Sequence, residues 1–329
     1  MCGPLSRMSD TAPTSDALFE SGPFPNFQKA LGLFRPVGFN VGRRAVVCVA
    51  IGWFPLVLLV LLQAAGNGSV LYSFFTDFGV HGRSLFAASL FILSEPICLQ
   101  SLDKIAHHFV EAGIIQGTDR ARFDAAVAST RALMNSLLAE VLCIGGVYVM
   151  VIAFVRDVSP DIFPEWCFNA GRVSWAGWWS LFVSIPLLLI LFFGWLWRIL
   201  LWGRFLFRIS SLNLQLIAAH PDHASGLRFL NSALFAFMPF AFTLGMITAG
   251  PIANRVVHQS ASLDNIKMTV LGLVIVVLVL VVGPLIVFIK NLHREKVAGT
   301  YEYGQLAQNV GRDFESKWLE NYGKYADGR

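Results

Sequence analysis

Four stretches of this chain run for about 20 residues or more without one Asp, Glu, Lys or Arg: Ala45–Leu62, Val173–Trp197, Phe229–Asn254 and Met268–Ile289. A helix needs about 20 residues to cross about 30 Å of hydrocarbon. Two weaker stretches complete a set of six. Leu85–Leu102 is interrupted only by Glu95, and Val141–Val155 is short but follows the uncharged Ala132–Ala139. No water reaches the backbone in hydrocarbon, so each N–H must find its carbonyl within its own segment, which a helix allows. A membrane barrel would alternate apolar and polar residues instead.

The sequence therefore predicts an all-α, polytopic transmembrane helix bundle. Its six spans fall near 44–65, 85–102, 136–156, 175–200, 229–252 and 267–290. A tail over 1–43 precedes them and an amphipathic segment over 293–329 follows. Composition agrees: 55% of residues are hydrophobic and 14% charged, against roughly 25% charged in soluble domains. The first 40 residues lack an apolar core and do not read as a secretory signal.

Lys and Arg orient the spans. Nineteen fall on the side of the two tails and five on the other, with Arg198 left uncounted near a helix end. By the positive-inside rule both termini are expected in the cytoplasm. Trp175, Trp178 and Trp179 at one end of the fourth span, and Trp195, Trp197 and Trp202 near the other, are expected to form two interfacial belts.

Beyond the spans, the second and third are expected to extend into a cytoplasmic helical hairpin turning at Gln116-Gly117-Thr118. In the N-terminal tail Phe24, Phe27, Leu31 and Phe34 suggest an interfacial helix. Leu306, Val310, Phe314 and Trp318 repeat every four residues near the C-terminus. That stripe is expected to dock on its own chain, with a neighbouring subunit as the alternative.

Three groups of residues invite chemistry. Glu95, followed by Pro96, falls near the middle of the second span, where a carboxylate must be protonated, paired or wetted. It reads either as a pore acid or as one half of a structural ion pair; Glu140, nearer an interface, reads more readily as structural. His220-Pro221-Asp222-His223 offers metal ligands, with His107, His108 and Glu111 on the hairpin to complete them. The simpler reading is a turn in which Asp222 caps the fifth span. Arg198, Arg204 and Arg208, set among Trp and Phe, suit anionic lipid headgroups or plain anchoring at the interface.

No phosphate-binding loop, nucleophile elbow, zinc-protease motif or dinucleotide fingerprint occurs, and no basic run suits nucleic acid. The five cysteines are scattered without metal spacing. No cofactor is expected beyond a divalent metal at the His-Asp loop. Membrane lipids and a second copy of the chain are the expected partners.

The run from Ala176-Gly177-Trp178-Trp179 through Trp195-Leu196-Trp197-Arg198 to His220-Pro221-Asp222 and Gly226-Leu227 has further counterparts in Ser94-Glu95-Pro96, Glu302-Tyr303-Gly304 and Lys317-Trp318. Together these resemble a family of bacterial multi-span membrane proteins without an assigned activity, over most of the chain from Arg43 onward. A second glycine often precedes the Gly-Leu pair in that family, where Ser225 stands here. The resemblance implies a bacterial inner membrane and no particular chemistry. The expected function is a channel or transporter not driven by ATP. A membrane-bound metalloenzyme and a structural or regulatory scaffold are the alternatives.

Overall fold

A computed structural model describes residues 41–64, 67–157, 164–169, 172–259 and 263–319. The helix expected over Phe24–Phe34 lies outside the described residues. The chain is an all-α bundle with, among the described residues, six helices long and apolar enough to cross a membrane. They are α1 (Val41–Gln63), α3 (Phe78–Glu111), α5 (Leu137–Asp157), α6 (Trp175–Ser210), α7 (Arg228–His258) and α8 (Ile266–Trp318). Two further helices, α2 (Gly68–Phe75) and α4 (Asp119–Met134), join them. Strands β1 (Phe168–Asn169) and β2 (Arg172–Val173) form a small antiparallel ladder. Six crossings put the start of α1 and the end of α8 at one face of the bundle, here the near face.

Proline breaks are repaired across helices. Pro55 cannot donate to the carbonyl of Ile51, and the indole of Trp179 on α6 donates to that oxygen instead, at 3.0 Å. One residue on, the Ser184 hydroxyl donates to the Gly52 carbonyl. Pro186 likewise frees Phe182, whose carbonyl has the Tyr148 hydroxyl of α5 at 3.4 Å. These prolines are thus structural joints between α1, α5 and α6. Both α3 and α6 also carry a π turn, at Gly82–Ala87 and Ser180–Ser184.

Aromatic rings fill the centre. Trp195 stacks on Phe240 of α7 with centroids 5.6 Å apart, and Phe91 of α3 meets the same ring at 6.0 Å. Here one expected belt fails. Trp175 is 77% exposed, as a belt requires, but Trp195 and Trp202 are fully buried. The Trp195 indole donates to the Phe91 carbonyl at 3.0 Å, so a residue read as interfacial belongs to the core. The most apolar window of α8 buries none of its residues, which fits a peripheral helix facing lipid.

The hairpin forms at the near face, its turn held by Gly113 (φ 67°) and Gly117 (φ 60°). It does not project alone, because α4 packs along the extended end of α6. Phe123 meets Phe205 edge-on at 6.0 Å, and Arg204 Nη2 donates to Ser129 Oγ at 3.0 Å. The loop after α6 closes over the hairpin tip, with Gln215 N donating to Ile114 O and Asn213 N to Asp119 Oδ2. The C-terminal stripe departs from expectation. Gly299 packs on Ala218, but Leu306, Val310, Phe314 and Trp318 beyond it remain exposed.

Candidate functional site

Glu95 is held from two directions. Its Oε2 accepts from Arg44 Nη2 of α1 at 2.6 Å, and its Oε1 from Arg198 Nη2 of α6 at 3.2 Å. Glu95 and Arg198 are 3% and 2% exposed. The Arg198 guanidinium sits 4.7 Å above the Trp195 ring, adding a cation–π contact away from water. Of the two readings of Glu95, the geometry matches the ion pair. Glu95 lies at the middle of α3, 17 residues from Phe78 and 16 from Glu111, where the sequence placed it. Pro96, directly after Ser94 and Glu95, falls in the first turn of the following helical segment.

Glu140 is also buried, at 3% exposure. With Ser136, Gly194, Trp197 and Arg198 it lines a crevice of about 10 Å³ between α5 and α6, room for about one water. Beside the crevice a lateral groove of about 630 Å³ runs between the same helices, lined mainly by apolar residues such as Leu138, Leu142, Gly146, Phe193 and Leu196. Trp197 lines both spaces. The Nε1 of Trp197 and the Nη1 of Arg198 are buried and meet no acceptor among the described residues, as is Nη1 of Arg204. Arg208 is exposed and has no place in this cluster.

The six suggested metal ligands are not gathered. No group of three His, Cys, Asp or Glu suited to a metal occurs among the described residues. His107 lies 3.7 Å from Asp103, and His108 packs on Phe229 at 4.5 Å. Glu111 lies with His107 in a crevice beside Arg120 and Asp124. Asp222 faces its own loop: its carboxylate accepts from the amides of Ala224 (2.9 Å), Gly226 (3.1 Å) and Arg228 (3.1 Å) and lies 2.8 Å from His220 Nδ1. Burial pushes its pKa up, but these donors outweigh burial and hold the carboxyl well below the usual carboxylate range. This is the capping turn.

That turn carries its own cost. His223 (φ 58°) and Ser225 (φ 54°) occupy the left-handed region, unfavourable for L side chains by about 1 kcal/mol each. Ser225→Gly should therefore raise stability by about 1 kcal/mol, seen as a higher melting temperature in detergent. An unchanged or lower value contradicts the assignment of strain.

Sequence reasoning missed a polar cluster at the opposite face. Asp77, 5% exposed, accepts from Asn254 Nδ2 (2.7 Å), Val80 N (3.1 Å) and Trp166 Nε1 (3.0 Å). Asn254 Oδ1 in turn accepts from Phe78 N at 2.8 Å. Asp77 ties α3, α7 and the loop after α5 together. Its signal was available: an Asp directly before an apolar helix is an N-cap. Next to it burial pushes the Cys167 thiol up to about 12, with Arg83 pulling the other way.

Comparison with protein-family models, with curated proteins and with solved structures finds no match to this chain.

Proposed function

We propose that this multi-pass membrane protein is a transporter, independent of ATP, that takes an amphipathic molecule sideways from the bilayer into the groove between α5 and α6. The carrying observation is that groove: about 630 Å³, within the usual range of ligand sites, and bordered by buried polar groups at Trp197 and Arg198. The paired state of Glu95 takes away the reason to route an ion past it. The 19-to-5 distribution of Lys and Arg supports a near face, with both tails, in the cytoplasm. The family resemblance supports a bacterial inner membrane.

The test is transbilayer movement of a fluorescent single-chain amphiphile in vesicles containing the purified protein. Gly146 lines the groove, and a Cβ added there meets nothing within 4 Å. Gly146→Phe should fill the groove without unfolding the bundle and reduce protein-dependent movement about tenfold. Movement no faster than in protein-free vesicles, or unaffected by Gly146→Phe, rejects the transport reading.

The exposed stripe on α8 favours a second reading, a scaffold that offers this helix to a partner protein. Deletion of residues 301–329 should then abolish co-purification of that partner while leaving membrane insertion intact. Retention of the same partner by the shortened chain counts against it.

A further inference from the structure

The border of the groove is built with donors that the protein does not use. Trp197 Nε1 and Arg198 Nη1 are buried without acceptors among the described residues, and an unmade buried donor is unfavourable. The crevice that Trp197 and Arg198 line has room for about one oxygen-sized group. An apolar groove beside buried N–H donors matches a molecule with hydrocarbon chains and an oxyanion where they end.

The charges narrow the choice. Arg44 and Arg198 share the one carboxylate of Glu95, which leaves one positive charge. Glu140 adds a carboxylate to the same crevice, which repels a phosphomonoester with two charges more than a phosphodiester with one. Arg204, about 9 Å further along α6 and with Nη1 also unused, is the next cation towards the near face.

We propose that the groove binds a glycerophospholipid, an acyl chain lying along Leu142, Gly146 and Phe193 and a phosphodiester oxygen accepting from Trp197 Nε1 and Arg198 Nη1. This rests on the groove being a ligand site and names the class of ligand. The lipid is either cargo or a resident of the fold; both present the same chemistry.

Native mass spectrometry of the full chain in mild detergent tests it with three probes: phosphatidylcholine, phosphatidylglycerol and a diacylglycerol with the same chains. Both phospholipids should be retained, and the diacylglycerol about tenfold less. Trp197→Phe should lower phospholipid retention about tenfold with an unchanged melting temperature, and leave the diacylglycerol as it was. Gly146→Phe should displace all three. Equal retention of diacylglycerol and phospholipid overturns the head-group assignment, as does a silent Trp197→Phe. Retention of phosphatidylglycerol alone overturns the phosphodiester as the recognised group, in favour of net charge. Full retention of every probe by Gly146→Phe removes the groove as the binding site and the proposed function with it. Movement of retained lipid across vesicles in the transport assay separates cargo from resident.

Discussion

Glu95→Gln should destabilise the bundle by about 3–5 kcal/mol, the range found when one partner of a buried ion pair is removed. The magnitude follows from what remains. Arg198, 2% exposed, would keep its charge with no carboxylate at Oε1, in a region where Arg cannot lose its proton. Arg44 should tolerate the loss better, since it is 13% exposed. Arg44→Gln is therefore expected to cost clearly less than Glu95→Gln. Replacing both buried partners, Glu95→Leu with Arg198→Leu, should recover more than half of the loss, because apolar substitutes need no desolvation of charge. Thermal unfolding in detergent provides the measurement. Equal melting temperatures for Glu95→Gln and the parent would mean that the three charges do not hold α1, α3 and α6 together.

At the opposite face a large effect is expected from Gly250. A Cβ there would lie 2.7 Å from the Phe78 carbonyl oxygen and 2.8 Å from the Gly79 Cα, both backbone atoms that cannot rotate away. Gly250→Ala should force α7 away from the start of α3 and cost about 1–3 kcal/mol, with a larger side chain costing more. The displacement also pulls Asn254, one turn further on, from Asp77. Cys167 reports this opening. It is 5% exposed and burial keeps its thiol protonated at neutral pH. Its labelling by a maleimide in Gly250→Ala should accelerate about tenfold or more. An unchanged rate with an unchanged melting temperature would show that the crossing has slack.

The spans were legible because hydrocarbon excludes charge along the chain itself, so each span announces its presence locally. What lay between spans was not. Glu95 stands 51 positions from Arg44 and 103 from Arg198, and no local pattern marks such a meeting. Span length was less legible, since Leu85–Leu102 is only part of a helix that runs from Phe78 to Glu111. Adjacent tryptophans could not be sorted either. Trp195 and Trp197 read alike in sequence, but one is sealed against Phe91 and the other lines the groove. The groove itself was hidden because its apolar lining resembles any lipid-facing surface. The His220–His223 turn, by contrast, was readable from Pro221 and Gly226, and its Asp222 caps as that reading required.

The π turns at Gly82–Ala87 and Ser180–Ser184 precede Glu95 and Arg198 on their respective helices. Each winds in one residue more than regular helix needs, and one residue corresponds to about 100° of rotation. The wide turn absorbs that rotation, so the helix beyond it keeps the face that turns acid and guanidinium toward each other. Forcing either turn to regular winding with every residue kept would swing its charge by about that angle, toward a different neighbour, while every side chain stayed chemically the same.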